Sequence, residues 1–100
     1  MVPLRTKVSE YHIESHGLDS PQYFPGVGIV GTRWEDVAIG SGATEAEAYE
    51  DALESLAQCD WDVSSLPSAT DAGMDGLEVA PESELWYYVA VYVRSFAGGR

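Results

Sequence analysis

Residues 85–96 read LWYYVAVYVRSF, the most apolar and most β-prone run in the chain. Strict alternation puts Leu85, Tyr87, Val89, Val91 and Val93 on one face and Trp86, Tyr88, Ala90, Tyr92 and Arg94 on the other. Both faces need cover, so this run belongs in the middle of a sheet with its valine face under a helix. One convincing helix is available, from Thr44 to about Cys59. Thr44 followed by Glu47 forms a capping box, and Gly40 and Gly42 mark the exit from a preceding strand. Tyr49, Ala52, Leu53 and Leu56 give this helix an apolar stripe, and Glu47, Glu50, Asp51 and Glu54 repeat the same spacing on the opposite side.

Working outward, residues 7–15 alternate Ser9, Tyr11 and Ile13 with Glu10, His12 and Glu14, the pattern of a half-buried strand. The turn-rich HGLDSPQ follows, then predicted strands over 23–32 and 34–40 that form a hairpin turning at Gly31, Thr32 and Arg33. Beyond the helix, Asp60, Trp61 and Asp62 lead into residues 63–84, a long acidic loop rich in Ser, Pro and Gly. Loops of that length in compact domains are usually functional or disordered. The expected fold is a single α+β domain. Its mainly antiparallel sheet has about four strands in the order β-β-β-α-loop-β, with the helix packed on one face.

With 100 residues, 45% hydrophobic and 11% aromatic, the chain can bury one modest core and is too apolar to be disordered. No apolar run approaches the roughly 20 residues of a membrane span. No apolar stretch follows Arg5 and Lys7, so no signal peptide is expected, and the single cysteine excludes an internal disulfide framework. These features predict a soluble, cytoplasmic protein. Cys59 lies beside Asp60, whose charge disfavours a thiolate, so it is expected to pack rather than react.

Charge is the compositional outlier: 17 acids against 5 bases, a net of −12. It is uneven, because residues 1–43 carry a net of −2 and residues 44–100 the remaining −10. Such a surface repels nucleic acid and attracts basic proteins, including those that hold nucleic acid. Acid-rich, lysine-poor composition also keeps proteins soluble in halophiles and in high-GC genomes. The helix stripe goes further, since like charges at i, i+3 and i+4 disfavour a helix by about 0.2–0.5 kcal/mol per pair. No lysine or arginine within the helix offsets them. Their spacing of about 5–6 Å is comparable to that of successive phosphates.

Signals for chemistry are weak. GVGIVG at 26–31 matches G-x-G-x-x-G but runs into a strand, not into the helix N-terminus that a dinucleotide requires. His12, Glu14 and His16 share one strand face about 6.6 Å apart. Adjacent members could share a metal, but no further ligands at typical spacing complete a site, and no metal is expected. The acids from Asp71 to Glu78 lack the ligand offsets of a calcium loop. No nucleophile has a partnered base, so neither an enzyme nor a cofactor is expected.

FPG at 24–26 and GSGATEAEAYEDAL at 40–53 resemble the strand-to-helix junction of HicB-type antitoxins and double-stranded-RNA-binding-like domains. In those, a three-stranded meander precedes a helix. The resemblance covers about 30 residues, and no DNA-binding helix-turn-helix or ribbon-helix-helix segment follows. In size and charge the chain is also similar to small phage-encoded inhibitors such as anti-CRISPR proteins, some of which mimic nucleic acid. The resulting expectation is a non-enzymatic inhibitor that blocks the basic surface of a nucleic-acid-handling partner without binding nucleic acid itself. The residues presenting the acid are Glu47, Glu50, Asp51, Glu54, Asp60, Asp62, Asp71 and Asp75. The alternative is an antitoxin-like or housekeeping module using an exposed aromatic face of Trp86, Tyr88 and Tyr92 to dimerise or bind a partner protein.

Overall fold

A computed structural model describes residues 5–16, 18, 34–78 and 86–95. Its elements are strands β1 (Thr6–Lys7), β2 (Glu10–Ser15) and β3 (Asp36–Gly42), helix α1 (Glu45–Gln58), strand β4 (Trp61–Asp62), a 3-10 turn (Val63–Ser65) and strand β5 (Tyr87–Arg94). Three strands form an antiparallel sheet in the order β2-β5-β3, and β1 pairs with β4 as a short parallel ladder. This is an α+β fold, and β5, drawn from the apolar run at 85–96, lies at the centre of its main sheet. The first long strand is shorter than its pattern suggests, starting at Glu10. The predicted 23–32 strand and the hairpin turn at 31–33 lie outside the described residues.

Register sorts side chains onto two faces. Tyr11, Ile13 and Ser15 lie opposite Val93, Val91 and Val89, and across β5 stand Asp36, Ala38 and Gly40. This face carries the helix. Val89, Val91 and Val93 are fully buried with Ala48, Tyr49, Ala52 and Leu56, and Trp61 and Leu66 close the cluster. Each aliphatic side chain removed from water here contributes about 1.5–3 kcal/mol. Val37 and Ile39 share the other face of β3, turned away from the helix.

Close approach of α1 to β3 depends on small residues on both sides. A Cβ added at Gly40 would overlap the Ala48 carbonyl oxygen and the Ala52 amide nitrogen, and one at Gly42 would lie 2.7 Å from the Glu47 Cβ. The backbone atoms facing Gly40 belong to the helix itself and cannot rotate away, so only glycine fits. Thr44 caps the helix by accepting the Glu47 amide at 3.0 Å, and Glu47 returns a carboxylate to the Ala43 amide at 3.2 Å. At the far end the Cys59 and Asp60 amides donate to Leu56 and Ala57 carbonyls, and Asp60 turns the chain at φ 69°. Cys59 is exposed there, contrary to the expectation that it packs: as the C-cap it stands past Gln58, where the helix ends.

In the first part of the 63–84 segment, regular structure is confined to the 3-10 turn. The segment nonetheless joins the core, since Leu66 is buried and Ala69, Ala72 and Met74 pack half-buried against the cluster. Amides of Ala72, Gly73 and Met74 donate to carbonyls of Ser68, Thr70 and Ala69 at 2.8–3.0 Å. The buried Tyr49 hydroxyl fixes the start of the segment by donating to the Pro67 carbonyl at 2.6 Å.

Two outcomes follow. Gly40→Ala must lift the helix off β3 and is expected to cost about 3 kcal/mol; chemical denaturation with a midpoint unchanged from the parent would contradict the close-packed geometry. Burial, aided by the charge of Tyr11, pushes the Tyr49 phenol up to about 12. The folded state therefore holds this proton more tightly than the unfolded chain, and the stability it contributes is complete below pH 10 and lost as pH rises toward 12. Tyr49→Phe should lose about 1 kcal/mol at neutral pH with the hydrogen bond. It should also show a shallower alkaline decline, and equal slopes in the two proteins would refute this.

Candidate functional site

The exposed side of α1 consists of Glu47, Glu50, Asp51, Glu54 and Gln58, set opposite the buried Ala48, Tyr49, Ala52 and Leu56. The helix pattern thus places the predicted acids on the surface, but they do different things there. Glu47 belongs to the cap. Asp51 reaches across to β3 and accepts the Ser41 amide at 3.0 Å. Glu50 and Glu54 are exposed and make no hydrogen bond or ion pair among the described residues. Glu45, which the pattern did not single out, accepts the Asp75 amide at 2.8 Å and a hydrogen bond from the Ser15 hydroxyl. With the Ala46 amide on the Asp75 carbonyl at 3.0 Å, this brings Asp75 beside the helix N-terminus.

The remaining predicted acids are spread around the fold. Asp60 is exposed at the helix exit, where its carbonyl accepts the Thr6 amide at 2.9 Å. Asp62 caps the 3-10 turn, accepting the Ser64 amide at 3.0 Å and the Ser64 hydroxyl at 2.7 Å. Asp71 is exposed in the turn, its amide donating to the Ser68 hydroxyl at 3.1 Å. The Asp75 carboxylate accepts the Leu77 amide at 2.9 Å. Thus Asp62 and Asp75 shape backbone, and the acids with unengaged carboxylates on the helix are Glu50 and Glu54.

The described basic groups lie elsewhere. No Lys or Arg occurs between Arg33 and Arg94 in the sequence. Among the described bases, Arg94 pairs with Glu10 and lies 5.1 Å from the Trp34 ring centroid. Lys7 and Arg5 act on Asp62, whose carboxyl is held below the ordinary range mainly by the Ser64 hydroxyl and amide and further by these two charges.

The second face of the sheet gathers the alternative residues. His12 Nε2 donates to Glu14 at 3.0 Å, His16 Nε2 stands 3.9 Å from the other Glu14 oxygen, and the Tyr92 hydroxyl approaches Glu14 at 3.4 Å. The His12, Trp34 and Tyr92 rings lie with centroids 5.7–6.3 Å apart. Burial, with Glu14 beside it, pushes the Tyr92 phenol up. The expected exposed aromatic face needs correcting: Tyr92 is 1% exposed and Ala90 fully buried, and Tyr88 is half-buried, leaving Trp86 as the exposed member at 47%. Central position explains this, because β5 has a neighbour on each side and its inner side chains are shielded from both. Trp34, which sequence reading did not assign to this face, joins it through contacts that periodicity could not show. His12, Glu14 and His16 do share one face, yet among the described residues no group of three His, Cys, Asp or Glu is arranged to hold a metal. No described helix is long and apolar enough to cross a membrane.

Asp62 gives an acid-side test. Its contribution to stability is present above the ordinary carboxylate pKa of about 3.9 and is lost as pH falls through the lower folded value. Asp62→Ala should melt below the parent at pH 6, with the difference closing in strong acid; a difference independent of pH would show that Asp62 acts without its charge.

No family model matches the sequence, and no curated protein or solved structure matches it either.

Proposed function

We propose that the protein is a non-enzymatic binding protein that uses the exposed face of α1 to engage and block a basic, nucleic-acid-handling partner. One observation supports this most directly: among the described residues Glu50 and Glu54 stand exposed and without counter-charge, on a helix that contains no basic residue. The helix dipole favours acids only in the first turn, where Glu45 and Glu47 already lie, so Glu50 and Glu54 gain nothing from it. Mixed charges would give solubility without that repulsion. The exposed Asp71 and Asp60 extend the same negative field, and a basic surface is what it attracts at long range. In this proposed mode of action the chain is like acidic inhibitors of the anti-CRISPR type, independently of any shared fold.

Charge reversal tests it. E50K/E54K alters only carboxylates that hold nothing among the described residues, and E10K/E35K changes the same number of charges on the sheet, beside Arg94 and Ser95. Protein immobilised in each form would be used for capture from host lysate, and the captured species tested for nucleic-acid binding and for competition by an oligonucleotide. The expected result is capture by the parent that nucleic acid displaces and that weakens steeply with salt. E50K/E54K should associate about 10-fold more slowly or worse, with E10K/E35K close to the parent. Equal effects of the two reversals, or a captured partner indifferent to nucleic acid and to salt, would overturn the proposal.

A further inference from the structure

Among the described residues β3 is an outer strand of the sheet, with β5 on one side and no strand on the other. An outer strand presents backbone donors that recruit further strands, and proteins that stay separate must cover them. Two β3 donors are covered by carboxylates. The Val37 amide donates to Asp36 Oδ1 at 2.9 Å, and the Ser41 amide donates to Asp51 Oδ2 at 3.0 Å. Donors four residues apart on a strand point the same way, so both face away from β5 along the edge that no described strand pairs. The Asp36 carboxylate is itself held in place, its second oxygen accepting Trp61 Nε1 at 3.0 Å. Asp51 is held by the helix, which glycine packing at Gly40 sets against β3 at a fixed height.

From this we propose that Asp36 and Asp51 close the edge of β3 against a second copy of the chain, with Asp51 as the guard at its C-terminal half. This assigns Asp51 to edge protection and not to the partner face of α1, and it stands whether or not that face binds as proposed. The occupant excluded is another β3, because a strand pairing antiparallel with its own copy across a two-fold axis is self-complementary and closes as a dimer.

Four variants separate hydrogen bonding from charge. Asp51→Ala removes both; Asp51→Asn removes the charge but keeps an acceptor; Glu50→Ala removes one charge from the same face and leaves the edge covered. In D51A/S41P the uncovered amide no longer exists, a change an outer strand tolerates at a donor facing away from its neighbour. Sedimentation or light scattering over a concentration series, with amide exchange at Ser41, reads the result. D51A is expected to rise in mass toward twice the 10.8 kDa of one chain. At the lowest concentration its Ser41 amide should exchange faster than in the parent. D51N, E50A and D51A/S41P should keep the parent's mass. Asp51→Ser, whose hydroxyl stops one bond short of the carboxylate oxygens, provides the same test should D51A lose its cooperative transition. D51A matching the parent in both readouts, E50A associating as strongly as D51A, or D51A/S41P remaining associated would each overturn the proposal.

Discussion

Seating α1 against β3 is the constraint on which the rest depends. Gly40 leaves room for the Ala48 carbonyl and the Ala52 amide, and with that spacing Tyr49 and Leu56 reach the valines of β5. Had β3 carried side chains there, the helix would ride higher, and the three valines would face a gap that costs dispersion and hydrophobic burial together. The same height lets Asp51 reach Ser41 and lets Glu45 meet Asp75. Small residues on strand and helix therefore position both the core and the polar contacts around it.

The described acids include carboxylates that accept backbone amides, carboxylates held by side chains, as Glu10, Glu14 and Glu35 are, and carboxylates that face water with no partner among the described residues. Asp36, Glu45, Glu47, Asp51, Asp62 and Asp75 belong to the first group. They do work that serine, threonine or asparagine can do elsewhere, and as charged acceptors they do it with stronger bonds. Glu50 and Glu54 belong to the last, and they make the surface of α1 electrostatically one-sided. A function built on charge would reside in this smaller set, which is why formal net charge overstates the size of the surface available for binding.

The two sheet faces show how one strand serves different environments. Valines of β5 meet aliphatic and aromatic helix residues, while Tyr92 on the reverse side meets His12, Trp34 and Glu14. A carboxylate beside a buried phenol is a polar cluster inside the sheet surface and gives this face a specific arrangement of rings and charges.

Local sequence determined the central strand, the helix with its cap and stripe, and the α+β class, because period-2 and period-3.6 patterns and a Thr-to-Glu cap are encoded within a few residues of each other. The same periodicity put Glu50 and Glu54 on the surface. Only the tertiary structure decided which acids are engaged, since Asp51 finds Ser41 ten residues away and Glu45 finds Asp75 thirty residues away. It also decided that Tyr92 is buried and Cys59 exposed, because burial depends on what packs above a side chain and not on its position in a repeat. Pattern is a property of one segment; pairing and cover require a second segment, and its arrival is set by packing that no short stretch of sequence contains.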